Sequence, residues 1–102
     1  MNLDDPGGTA TSRSVAVEFA ASLRRHVECA PQSVAPGTLR AVLEAALQAE
    51  PRMAHYVFDD QRAIRKHVAV FVNEQMVHNR VRLDRSLNAG DRVLVIQALT
   101  GG

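Results

Sequence analysis

The sequence holds 102 residues, enough for one domain around a single core and too few for two ordinary domains joined by a linker. Apolar residues at 46% and charged residues at 23% are ordinary globular values, while aromatics at 4% leave the core to Val, Leu, Ala and Ile. A net charge of +1 supplies no bulk field toward nucleic acid or anionic lipid, so neither nucleic acid nor membrane is implied as a partner.

Met1 to Arg13 contain Asp4, Asp5, Pro6 and Gly7-Gly8 but no apolar run fit for a signal-peptide core or a membrane span. Residues 1–13 therefore read as a disordered leader without an assigned role, ahead of a domain over residues 14–98. Val15, Val17 and Phe19 alternate with Ala16 and Glu18 in the period of a half-buried strand. Beyond Ala20 to Arg25, Val27 and Cys29 flank Glu28 in a second alternation, which predicts a strand pairing back as a hairpin. Cys29 is the single cysteine, so the fold needs no oxidising compartment and a cytoplasmic location is expected.

Pro31 and Pro36-Gly37 break the chain, and Thr38 then stands as a helix N-cap. Leu39, Val42, Leu43, Ala46 and Leu47 recur at helical spacing with Arg40, Glu44 and Gln48 on the other side, which predicts a main helix with one apolar stripe. Its end is expected near Glu50, because Pro51 has no N–H and disfavours helical geometry before it. Met53, Tyr56, Val57 and Phe58 then read as a covering loop or short strand that turns at Asp59-Asp60.

Val68, Val70 and Val72 alternate with His67, Ala69 and Phe71, predicting a central strand over residues 66–72 that turns at Asn73. Val77 to Leu83 reads as a short strand or irregular edge, Asn88-Ala89-Gly90-Asp91 as a turn, and Arg92 to Gln97 as the last strand. The order describes an α+β fold: one mixed sheet with one main helix packed on one face.

Side-chain chemistry is sparse. His26, His55, His67 and His78 match no compact metal-ligand spacing and read as surface residues, so neither a metal site nor a catalytic side chain is expected. Cys29 reads as packing rather than a nucleophile, Asp59-Asp60 as a turn rather than a cation site, and Arg80, Arg82 and Arg85 around Asp84 as a solvated face.

Three stretches carry a family likeness: Gly37-Thr38-Leu39-Arg40 with Val42-Leu43, then His67 to Asn73, then Leu83-Asp84, Leu87 to Val93 and Leu99-Thr100-Gly101-Gly102. They resemble the helix start, the central strand and the closing stretch of the ThiS/MoaD family of ubiquitin-like sulfur carriers, over about Ser14 to Gly102. Glu74 departs from the Gly that commonly follows the turn Asn in that family, and Gln97 departs from a frequent Pro. The resemblance implies a ubiquitin-like β-grasp fold ending in a flexible tail over residues 99–102, with Leu99, Thr100 and Gly101 leading to Gly102.

It further implies that an E1-like adenylyltransferase uses ATP and Mg to adenylate the Gly102 carboxylate. A sulfur donor, either a sulfurtransferase or a sulfide source, then forms a thiocarboxylate, and a sulfur-accepting synthase receives the sulfur. The chain itself holds no stably bound cofactor in this scheme, because adenylation supplies the leaving group. Glycine suits the stem for a separate reason: without Cβ atoms, Gly101 and Gly102 thread a narrow channel. The chain's length and its Asp59-to-His67 segment look more like cysteine-type or molybdopterin-type carriers than the shortest thiamine ones.

If Val68, Val70, Val72, Val93 and Val95 face the helix, then Ala69, Phe71, Leu94 and Ile96 point outward as an apolar patch beside the tail, expected to meet the activating enzyme. The competing expectation is that loops around Tyr56 or Arg80 cover the patch. Two functional alternatives accompany the carrier: a ubiquitin-like modifier joined through Gly102 to lysines, and a binding domain with an inert tail.

Overall fold

A computed structural model describes residues 13–98; the expected leader, apart from Arg13, and the expected tail over residues 99–102 lie outside them. β1 (Val15–Phe19) forms where the apolar alternation begins, burying Val15, Val17 and Phe19 and turning Ala16 and Glu18 to the other face. After it come α1 (Ala21–Arg24), β2 (Gln32–Val34), β3 (Gly37–Thr38), α2 (Leu39–Leu47), α3 (Pro51–Val57) and β4 (Val68–Val72). β5 (Gln75–Met76), β6 (Ser86–Leu87) and β7 (Arg92–Gln97) complete the described elements.

The five-stranded sheet is ordered β2-β1-β7-β4-β5, parallel between β1 and β7 and antiparallel elsewhere. β3 and β6 pair as a separate two-stranded ribbon that places Gly37 opposite Leu87. This is the mixed α+β sheet expected from the sequence. α2 covers one face with all five of its predicted stripe residues buried, against the buried Val68, Val70 and Val72 of β4 and Val93 and Val95 of β7. Its N-cap is Thr38, whose Oγ1 accepts the Ala41 N–H at 3.1 Å.

Two expected elements are corrected. No strand forms at Val27 and Cys29: the His26 and Val27 N–H groups both donate to the Leu23 carbonyl, so the chain continues in turns after α1 and sends Leu23 and Cys29 into the core. The hairpin partner of β1 is β2, starting just after Pro31, with Val34 opposite Val15 and Gln32 opposite Val17. Nor is the Met53–Phe58 stretch a loop or strand. Pro51 occupies the first turn of α3, where its missing N–H forfeits nothing, and Met53 and Val57, one turn apart, are both buried.

The Asp59 carboxylate accepts the N–H groups of Gln61 and Ala63 at 2.9 and 3.0 Å, which makes it the turn residue expected there. Residues 77–83 are irregular, and Arg80 organises them: its guanidinium donates to the carbonyls of Arg65 at 2.5 Å, Val68 at 2.7 Å and Ile64 at 3.5 Å. Arg80 is thus half-buried scaffolding rather than part of a solvated basic edge, while Arg82 does lie exposed and pairs with Asp84 at 2.9 Å.

β4 and β5 are joined by Asn73 and Glu74 alone, at φ 47° and 72°, as a tight hairpin turn with both central residues in the left-handed region requires. Asn tolerates that region and Glu does not. The Glu74→Gly variant is expected to gain about 1 kcal/mol of stability by removing the Cβ strain. A higher urea midpoint at unchanged m-value is the readout.

Candidate functional site

The face of the sheet opposite α2 is built by simple alternation. In register, Leu94 of β7 lies between Phe71 of β4 and Glu18 of β1, and Ile96 lies beside Ala69. A groove of about 480 Å³ runs over this face, lined by Ala16, Glu18, Phe71, Leu94 and Ile96 and closed at one end by Asn73, Glu74 and Arg92. Leu94 is 38% exposed despite its size, and Phe71 and Ile96 are half-buried. Ala69 is 5% exposed and does not line the groove, because a lone methyl between larger neighbours is shaded by them.

The covering loops considered from the sequence do not lie over this groove. Arg80 points into the carbonyls of residues 64, 65 and 68, and Tyr56 packs between two imidazoles, 5.0 Å from the His26 ring and 4.7 Å from that of His67. Neither residue lines the groove. Phe71 of β4 and Leu94 and Ile96 of β7 therefore form one open apolar surface across the two strands, and β7 leads, two residues past Ile96, to Ala98.

At the opposite end of β7 a polar knot fixes the strand. Asn73 Nδ2 donates to Asp91 Oδ1 at 3.0 Å, the Arg92 N–H donates to Asn73 Oδ1 at 3.0 Å, and the Asn88 N–H donates to Asp91 Oδ2 at 2.7 Å. Gly90 makes the turn at φ 95° and gives its N–H to the Ser14 carbonyl. The Asn88 N–H, then the Asn73 amide, hold the Asp91 carboxyl below the ordinary carboxylate value. A carboxyl with a lowered folded pKa adds stability above its unfolded pKa, and that stability disappears as pH falls through the folded value. The Asp91→Asn variant is accordingly expected to lose part of the wild-type decline in stability below about pH 4, visible in acid titrations followed by circular dichroism.

Gly102, Gly101, Thr100 and Leu99, the residues on which the expected chemistry falls, lie outside the described residues. Their root is described: the Ala98 N–H donates to the His67 carbonyl at 2.7 Å, and the Gln97 N–H donates to Ser22 Oγ at 3.3 Å. Among the described residues no three His, Cys, Asp or Glu side chains converge to hold a metal ion, and no helix is long and apolar enough to cross a membrane.

His26, His55 and His78 are exposed as anticipated, whereas His67 is not a surface residue: it is half-buried, and its Nε2 is enclosed without a hydrogen-bond partner. Cys29 is 4% exposed in the core, and burial, then the carboxylates of Glu50 and Glu28, push its thiol above the ordinary value. A protonated, enclosed thiol is a poor nucleophile at neutral pH, which fits packing and not sulfur transfer. Cys29→Ala is expected to leave function intact while alkylation of the native thiol proceeds only on unfolding.

Comparison with solved structures identifies the fold as a ubiquitin-like β-grasp. SAMP1 from Haloferax volcanii superposes with a TM-score of 0.71 at 23% identity, covering 87% of this chain and 99% of that one. CysO in the BexX/CysO complex of Amycolatopsis orientalis gives 0.68 at 17% identity, covering 86% and 99%. The complex of subunits 1 and 2 of the molybdopterin-converting factor from Helicobacter pylori gives 0.57 at 19% identity, covering 87% and 99%. No curated protein matches the sequence. The ThiS family model matches residues 17–102, from within β1 through the Gly101-Gly102 pair, and the chain belongs to the ThiS family.

Proposed function

We propose that this protein is a sulfur carrier, a protein co-substrate and not itself an enzyme, working in the cytoplasm through the Gly102 carboxylate. An E1-like adenylyltransferase consumes MgATP to convert that carboxylate to an acyl adenylate. A sulfur donor then displaces the nucleotide to leave a thiocarboxylate, which a synthase of cofactor or amino-acid biosynthesis takes up. The observation that carries the reading is the family match running through Gly102, together with an open apolar face of β4 and β7 that presents Phe71, Leu94 and Ile96. The matched CysO and molybdopterin-converting factor structures are each complexes of two proteins, which fits a chain that works through protein partners.

The test is the intact mass of the protein purified from its own cells, with the C-terminal peptide fragmented. Oxygen-to-sulfur exchange at Gly102 is the expected result. A plain carboxylate under sulfur demand, with no conjugates, would sink the proposal in favour of a binding domain with an inert tail. The docking role of the groove is tested separately. Phe71→Glu and Leu94→Glu each place a charge in the apolar face and are expected to weaken binding to the activating enzyme about 10- to 100-fold, the range of an interface hot spot, with little change in thermal midpoint.

The likeness to SAMP1, a small archaeal modifier protein, favours a second reading, in which the activated Gly102 is joined to lysine amines of other proteins. Here the sequence makes a sharp statement. Of its twelve basic residues only Lys66 is a lysine, and Lys66 is exposed. Side-chain-linked chains of this modifier would therefore run through Lys66, and the Lys66→Arg variant should remove every such linkage while conjugates to other proteins persist.

A further inference from the structure

β7 outlasts its neighbour β1: their parallel pairing ends with Phe19 opposite Val95, yet β7 continues to Gln97. The edge left open beyond Val95 is met by α1 and the turn that follows it. The Ala20 N–H donates to the Val95 carbonyl at 2.9 Å, and Ser22 Oγ accepts the Gln97 N–H at 3.3 Å. His26 Nε2 lies 3.2 Å from Gln97 Oε1. With the Gln97 amide oxygen facing the ring, this contact is a hydrogen bond in the tautomer that carries the proton on Nε2. The His26 ring is stacked on Tyr56 of α3 at 23° between planes, and Tyr56 meets the His67 ring edge-on at 72°. His67 in turn supplies the carbonyl that receives the Ala98 N–H on the other side of β7.

We propose that His26, Gln97 and Ser22 form a clasp that, braced by the Tyr56–His67 ring pair, positions the root of the C-terminal tail for the activating enzyme. They are positioning residues that act through Gln97 and Ala98. The inference rests on the carrier reading above, because a fixed root matters only if Gly102 must arrive at a defined place. Four residues beyond Ala98 reach at most about 14 Å, so the direction taken at Gln97 and Ala98 decides where the carboxylate can be presented. A root left loose spreads the same reach over many directions and dilutes the productive one. The clasp closes contacts across 71 and 75 residues of sequence, which ties the exit of the tail to the segment just after the first strand.

The test pairs dynamics with kinetics in the full-length protein. Gln97→Leu keeps bulk and removes the acceptor, His26→Phe keeps a stacked ring and removes the donor, and Gln97→Glu restores an acceptor. Heteronuclear NOE values at the Gln97 and Ala98 amides should fall in Gln97→Leu and His26→Phe and recover in Gln97→Glu. ATP–pyrophosphate exchange catalysed by the adenylyltransferase of the same cells should lose about tenfold in kcat, with KM little changed because the groove is intact, and again recover with Glu. The double variant should lose no more than either single one.

Unchanged NOE values in both single variants overturn the clasp, whatever the kinetics. Loosened amides with unaltered kcat overturn its positioning role. If the wild-type protein is not adenylated at all, the carrier reading fails, and the positioning role falls with it; the NOE series then still decides whether the clasp exists.

Discussion

Deletion of Gly101 and Gly102 is expected to abolish adenylation and every downstream transfer while leaving the thermal midpoint within about a degree of wild type. The two halves of this expectation have separate grounds. Loss is complete because, in the proposed mechanism, the carboxylate of Gly102 is the reacting group and nothing in the described residues substitutes for it: Cys29 is buried with its thiol pushed above the ordinary value, and no three His, Cys, Asp or Glu side chains among the described residues converge to hold a metal. Stability is preserved because the core, from Val15 to Val95, is complete without the tail. Replacing the pair by Ala-Ala separates chain length from slenderness. A retained carboxylate on a stem with Cβ atoms should still fold and dock through Leu94 and Phe71, yet react slowly if the activating channel admits only glycine. Adenylation by the truncated protein at the wild-type rate would remove the proposed chemistry from Gly102.

The second large effect concerns folding. Arg80→Ala is expected to destabilise the protein by about 2–4 kcal/mol, because three carbonyls, of Ile64, Arg65 and Val68, lose a charged donor at once and two of those contacts are short. For a domain of this size that is a fall of roughly 10–25 °C in thermal midpoint. Arg80→Lys should rescue only part of it, since all three contacts are made by the terminal Nη1 and a lysine ammonium ends one bond short of that position. Equal midpoints for Ala and wild type would show that water satisfies these carbonyls as well as Arg80 does.

Arg80 also marks the limit of what the sequence discloses. The α2 stripe, its Thr38 cap, the central strand around Val70 and the Asn88–Asp91 turn were all legible because their signals are local: a period, a cap and a left-handed turn position. Phe71, Leu94 and Ile96 were legible for the same reason, since alternation on two buried strands assigns their faces once the valines are assigned inward. The likeness at Leu83 to Gly102 foretold the family from the closing residues, and the match over residues 17–102 bears it out.

What escaped was long-range or ambiguous. Pro51 reads equally as the end of one helix or the first turn of another, and only the burial of Met53 and Val57 decides for α3. Val27 and Cys29 alternate like a strand, but the helical turns after Leu23 consume that stretch before a ladder begins. Nothing near Arg80 or Gln97 in the sequence points to the carbonyls or the imidazole they meet, because those partners are set by how distant elements pack.

The position of β7 has a consequence for how the protein is made. Although it is last in sequence among the described strands, β7 is central in the sheet, with β1 parallel on one side and β4 antiparallel on the other. A nascent chain halted before Arg92 holds a β2-β1 hairpin and a β4-β5 hairpin with no strand to join them, and such non-local closure is slow and comes late. Ribosomal synthesis therefore delivers the joining strand and the glycines within ten residues of each other. A chain halted before Arg92 lacks both the finished sheet and the Gly101-Gly102 pair, so an activating enzyme that requires the two together would not act on it.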